Sequence, residues 1–128
     1  MDISNEKLYE IAEGTRANAY APFSGFCVGA ALLTGDGEVF TGVNIENSSY
    51  GATICAERVA FVKAISEGKR AFSKIAVSAG SRESIPCGIC RQFMCEFSPE
   101  IEVVTKAGEE IKSRKLSELL PEAFVFDR

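Results

Sequence analysis

The chain has 128 residues, 14 of them Lys or Arg and 18 Asp or Glu, with no histidine and 46% apolar residues. That length and balance suit one soluble globular domain spanning residues 1–128, long enough to bury about two-thirds of its unfolded surface. Without histidine there is no Ser-His-Asp triad, Cys-His pair or His-ligated zinc, so a metal must be held by Cys, Asp or Glu, and protons moved by a carboxylate, Lys, Tyr or Cys.

The first predicted element is a helix opened by Ser4 as its cap, with Ile3 and Leu8 at staple positions and Leu8, Ile11, Ala12, Thr15 and Ala19 at helical spacing. Tyr20-Ala21-Pro22 ends it, because a residue before proline is pushed out of the helical region. Phe26 to Thr34 and Glu38 to Gly42, joined through Gly35-Asp36-Gly37, read as a hairpin. Asn44 to Thr53 has no clean period and reads as a loop or irregular strand. Cys55 to Glu67 is helical with Gly68 at its end; Phe72 to Ala79 is a buried strand; Gly80 to Ile85 is a loop. Pro86 then introduces a third helix over Gly88 to Phe97. Ile101 to Thr105 is a strand, and Leu116 to Leu120 a short closing helix. The order α, β, β, α, β, α, β predicts an α/β fold, a three-layer α/β/α sandwich around one mixed sheet.

The net charge of −4 argues against nucleic acid as the partner, since phosphates need clustered Lys and Arg. The nearest basic run, Lys112-Ser113-Arg114-Lys115, is flanked by acids and reads as a solvated turn or helix start. The longest apolar run, Phe26 to Leu33, is too short to span a bilayer. The first residues lack the pattern of a signal peptide, so the five cysteines suggest reduced thiols or a metal site in the cytoplasm rather than a disulfide frame.

Chemistry concentrates in Cys55-Ala56-Glu57-Arg58 and Pro86-Cys87-Gly88-Ile89-Cys90-Arg91, both at predicted helix N-termini, where free amides and the helix dipole favour thiolate. Cys87 and Cys90 share one helical face, and the α/β order can bring Cys55 beside them from the other helix. Three thiolates without an equal fourth ligand suggest a catalytic zinc with an open position for water. Glu57, two residues after a ligand, can take that water's proton without binding the metal. Arg58 can donate to the sulfurs and draw charge from them. A lone C-x-x-C would serve equally as core or redox pair, and Cys27 or Cys95 could close a structural site, but C-x-E followed by P-C-x-x-C is the pattern of zinc nucleobase deaminases.

Tyr20-Ala21-Pro22-Phe23-Ser24, Val28-Gly29-Ala30-Ala31-Leu32, Gly42-Val43-Asn44-Ile45-Glu46-Asn47, the two cysteine motifs with Gln92, and Leu119-Leu120-Pro121 with Phe124 extend this pattern over nearly the whole chain. In them the sequence resembles the small homotetrameric zinc-dependent cytidine deaminases. The resemblance implies a Zn²⁺ cofactor on Cys55, Cys87 and Cys90, Glu57 as proton shuttle, and a small nucleoside as substrate. It implies that Asn44 and Glu46 meet the ribose, that the Ala56 amide meets the pyrimidine carbonyl, and that Phe26 packs on the base. It further implies that Phe124 reaches into a neighbouring subunit's site. From the residues alone, Asn44 and Glu46 point the same way in an extended segment and suit a vicinal diol, while Phe26 and Phe124 equally suit a core. Cys27 and Cys95 read as buried free thiols. Gly25 and Ile85 stand where the family more often has a larger residue and serine, respectively.

The resulting expectation is hydrolytic deamination of cytidine and deoxycytidine to uridine and deoxyuridine in pyrimidine salvage. Its rivals are another amino-pyrimidine nucleoside such as blasticidin S, editing of cytosine or adenine in nucleic acid, and a non-catalytic protein with a structural zinc.

Overall fold

The structure, a computed structural model, describes residues 3–126. Its elements in chain order are α1 (Asn5–Thr15), β1 (Gly29–Thr34), β2 (Val39–Val43), α2 (Ala56–Ser66), β3 (Phe72–Ser78), α3 (Gly88–Phe97), β4 (Glu102–Ala107), β5 (Glu110–Lys115) and α4 (Leu116–Leu119). The five strands form one sheet in the order β2-β1-β3-β4-β5. Neighbours run antiparallel except β3 and β4, which are parallel, so a crossover must join them and α3 supplies it.

Helices cover both faces of the sheet, the three-layer sandwich expected from the element order. On β1, Ala30 and Leu32 pack with α2 and α3 residues such as Ala60, Phe61 and Met94. Ala31 and Leu33 turn the other way, onto Leu8, Tyr9 and Ala12 of α1. A strand buried on both faces carries no polar alternation, which is why this stretch reads as a continuous apolar run.

Two glycines let the layers touch. A β-carbon on Gly29 would lie 2.1 Å from the Ala12 carbonyl oxygen, and one on Gly42 would lie 2.3 Å from that of Ala56. Backbone thus meets backbone, and α1 and the first turn of α2 are held against opposite sides of the sheet.

Local signals hold at most element ends. Ser4 Oγ accepts from Lys7 N at 3.1 Å, and Ile3 packs with Leu8 in one cluster. Gly68, at φ +91°, ends α2, with Gly68 N donating to Ile65 O and Lys69 N to Ala64 O, a Schellman closure.

Four expectations need correction. The first helix ends at Thr15, followed by a 3₁₀ turn over Arg16–Asn18, rather than running to Tyr20. Tyr20 N donates to Asn44 O, and Glu46 N to Tyr20 O, so long-range pairing claims the segment before Pro22 can stop it. β1 starts at Gly29, not Phe26, because the Asn44 side chain takes Val28 N and Phe26 O. The basic run is not a turn but the C-terminal part of β5, paired with β4 from Glu102↔Lys115 to Ala107↔Glu110, and only its last residue, Lys115, starts a helix, as the N-cap of α4. As an edge strand it packs inward mainly through Ile111 and carries charge elsewhere, which hides it from an apolar-pattern search. Cys27 and Cys95, expected to be buried, are half-buried.

Candidate active site

Cys55 and Cys87 are the N-caps of α2 and α3, and Cys90 lies one turn into α3. The crossover geometry sets these two helix N-termini side by side, and the Sγ atoms of Cys55, Cys87 and Cys90 all lie within 4.8 Å of one another. Cys55 Sγ and Cys87 Sγ are 3.8 Å apart, which matches the edge of about 3.8 Å of a tetrahedron with Zn–S bonds of about 2.3 Å. The donor set is soft, clustered and three-fold, so these residues fit a zinc ion with one position left for a non-protein ligand.

Electrostatics point the same way. The Cys55 thiol is pulled down to about 5, chiefly by the hydrogen bond from Cys90. Cys90, buried and facing Cys55, is pushed up. Cys55 and Cys90 therefore hold their protons unequally, and a divalent cation would take the place of those protons. Arg58 Nη2 lies 3.7 Å from Cys55 Sγ, so a guanidinium faces the sulfur cluster where the sequence places one.

Glu57 is 4% exposed, and burial pushes its carboxyl up to about 7. It faces a cavity of about 230 Å³ together with Cys55, Ala56 and Cys87. Phe26 and Asn44 line the same cavity, so the structure brings seven of the sequence-selected residues to one place, counting Cys90 within the thiol cluster and leaving Arg58 behind it. A larger cavity of about 490 Å³ lies on the α1 side between Tyr9, Glu13, Gly80 and Lys106. It has neither the thiol cluster nor a buried carboxyl, so the smaller one is the candidate site.

Asn44 and Glu46 do lean the same way, as their spacing predicts, but onto protein. Asn44 Nδ2 donates to Phe26 O at 2.7 Å and its Oδ1 accepts from Val28 N at 2.9 Å. Glu46 accepts from Phe23 N at 2.9 Å, Ser24 N at 3.2 Å and Ser24 Oγ at 2.5 Å. The Ser24 hydroxyl above all holds that carboxyl below the usual range. Glu46 does not line the cavity, and its bonds fix the loop that presents Phe26. Phe124 is also away from the cavity and 70% exposed, with its backbone clamped by the Gln92 side chain, Nε2 to Phe124 O at 2.8 Å and Phe124 N to Oε1 at 3.2 Å.

Sequence reasoning missed Val28, Thr53, Ile54, Ser84 and Ile85 as cavity walls. Ile54 and Ile85 stand one and two residues before a thiol, and that adjacency was the available signal.

Residues 2–106 match the family model described as the cytidine and deoxycytidylate deaminase zinc-binding region. The chain is 47% identical over 126 residues to the cytidine deaminase of Halalkalibacterium halodurans, covering 95% of each chain. It is 45% identical over 128 residues to that of Sporosarcina psychrophila, covering 97% of this chain and 92% of the relative. The crystal structure of a cytidine deaminase from Burkholderia pseudomallei matches with a TM-score of 0.90 at 44% identity, over 95% of this chain and all of the other. A shared fold, a matching zinc-binding region and high identity across nearly the full length converge on one conclusion: the chain belongs to the cytidine and deoxycytidylate deaminase zinc-binding family.

Proposed function

We propose that the chain, working as one domain, deaminates cytidine and deoxycytidine, consuming water and releasing uridine or deoxyuridine and ammonia. The observation that carries this is the buried Glu57 carboxyl beside the three-thiol cluster, with Glu57, Cys55 and Cys87 all facing one cavity that Phe26 borders. The names of the relatives at 45 and 47% identity support it.

Cys55, Cys87 and Cys90 would hold zinc, which when bound supplies a Lewis acid that makes hydroxide available near neutral pH. Glu57 does the proton work. With its carboxyl pushed up to about 7, it exchanges protons readily in both directions at neutral pH. It takes one from the attacking water and passes it to N3 of the ring, then takes the second from the hydroxyl now on C4 and delivers it to the departing amino nitrogen. Ala56 opens α2, so its amide has no acceptor within the helix and meets the pyrimidine carbonyl. Phe26 packs on the base. Asn44 and Glu46 contact the ribose hydroxyls through the capacity their loop bonds leave free, one amide hydrogen and the remaining carboxylate lone pairs. Arg58 withdraws charge from Cys55, keeping the sulfurs from over-neutralising the metal.

Assembly belongs to the same reading. Phe124, exposed and clamped by Gln92, is presented to a neighbouring subunit's site in a homotetramer. The reaction is a pyrimidine salvage step carried out in the cytoplasm. Among the described residues no helix is long and apolar enough to cross a membrane.

The test pairs zinc per chain with ammonia released from cytidine, with Glu57→Gln alongside. One zinc per chain, wild-type turnover, and a zinc-loaded variant slowed on the order of 1,000-fold would support the assignment. Zinc without cytidine turnover would move the substrate to another amino-pyrimidine nucleoside. Neither zinc nor turnover would overturn the catalytic reading.

A further inference from the structure

The loop between β3 and α3 walls the cavity with Ser84 and Ile85 and ends on Cys87. Its firmest polar attachment lies on the sheet, not in the cavity. Glu83 Oε2 accepts from Thr105 Oγ1 at 2.8 Å and from Arg114 Nη2 at 2.6 Å. Arg114 Nη2 also donates to Thr105 Oγ1 at 3.0 Å, which closes a triangle. Thr105 is 1% exposed, and the Glu83 and Arg114 side chains keep only 24% and 31% of their exposure. Val103, which packs with α2 and α3, pairs with Arg114 in register, and Thr105 stands two residues further along β4. All three therefore belong to the sheet face that carries the cavity.

The neighbouring residue attaches the loop a second time. Arg82 places its guanidinium 5.6 Å from the centre of the Phe26 ring, within cation–π range. One loop thus spans from the β4–β5 edge to Phe26, carrying Ser84 and Ile85. The thiols depend less on this anchor, because Cys87 caps α3 and Cys90 is buried within it.

We propose that Glu83 is a positioning residue for the candidate active site: held by Thr105 and Arg114, it sets how closely Ser84 and Ile85 stand against a bound pyrimidine nucleoside. The Thr105 hydroxyl and the Arg114 guanidinium keep its carboxyl below the ordinary range, so the triangle is charge-assisted at neutral pH. The effect falls on substrate binding rather than on chemistry. The inference rests on the cytidine reading of the same site.

Zinc-loaded full-length protein tests it through kcat and KM for cytidine, inhibition by uridine, zinc per chain and melting temperature. Glu83→Ala should raise KM about fivefold and weaken uridine inhibition by the same factor, with kcat within about twofold and zinc content unchanged. Arg114→Met should do the same, and the double variant should lose no more than the larger single change. Glu83→Gln, which keeps an oxygen acceptor for both donors, should recover most of the loss. A Glu83→Ala variant that melts lower and loses kcat in proportion, at wild-type KM, would mean a merely structural contact and overturn the proposal. If Arg114→Met does not fold, the comparison of Glu83→Ala with Glu83→Gln decides alone. Wild-type protein that does not turn over cytidine would overturn the substrate assignment and this inference with it. Wild-type turnover with unchanged KM in Glu83→Ala would overturn this inference alone.

Discussion

Gly42 and Ala56 meet backbone to backbone: a β-carbon on Gly42 would stand 2.3 Å from the Ala56 carbonyl oxygen and 2.5 Å from Ala60 N. That contact seats the first turn of α2, and with it Cys55 and Glu57, against β2. Gly42→Ala has nowhere to put its methyl without moving the helix. It should cost about 3 kcal/mol and lower the melting temperature by about 10 °C, with reduced zinc per chain. Calorimetry and metal analysis check both, and an unshifted melt would show that α2 is not seated by this contact.

The three thiols differ from the other two cysteines in what surrounds them. Cys87→Ser should lose zinc and melt lower, because the metal's binding energy is folding energy. Cys27→Ser combined with Cys95→Ser should keep one zinc per chain, since neither side chain belongs to the cluster. Arg58→Ala should retain the fold and release zinc to a chelator on the order of tenfold faster. Metal release followed with a colorimetric chelator distinguishes the three cases, and zinc loss from the Cys27/Cys95 variant would point to a closed structural site.

Glu46 accepts from both the amide and the hydroxyl of Ser24, so part of its effect must pass through the loop that presents Phe26. Ser24→Ala should therefore reproduce a fraction of the KM increase expected of Glu46→Gln, on the order of threefold, with kcat little changed. A double-mutant cycle measures the shared portion. Strict additivity would assign Glu46 to the substrate alone.

Acid should destabilise the fold in a definite window. Hydroxyl donors hold four carboxyls below the ordinary glutamate value of 4.5: Ser78 for Glu13, Ser24 for Glu46, Thr105 for Glu83 and Ser113 for Glu102. A depressed folded-state value gives stability that is complete above the unfolded value and lost as pH falls through the folded one. The share of the stability from these carboxyls should be complete above about 4.5 and lost below it, so the melting temperature should fall there. Buried Glu57, raised to about 7, acts the other way and adds stability as pH drops from neutral. Glu102→Gln should melt lower than wild type at pH 7, and the gap should close as pH drops. A gap that stays constant down to pH 3 would show that this carboxylate is not linked to folding.

The sequence by itself determined the parts of this protein whose physics is local. Ser4 caps a helix because its oxygen needs only the amide three residues on, and Gly68 closes one because only glycine tolerates that backbone cheaply. Thiols at helix N-termini, with Glu57 two residues after Cys55, are readable for the same reason: spacing along one helix sets which groups share a face.

Tertiary structure alone decided the rest. β5 carries its charges as an edge strand and declares itself only through pairing with β4. The first helix stops early because Tyr20 pairs with Asn44, distant in sequence. Asn44 and Glu46 were legible as a pair on one side of the chain, yet their occupation with the Phe26 loop depends on how residues 20–28 fold back onto them. The Glu83–Thr105–Arg114 triangle joins a loop, an inner strand and an edge strand, and no local pattern marks it. Local geometry follows from the order of residues, whereas burial and long-range hydrogen bonds follow from which elements the sheet sets side by side.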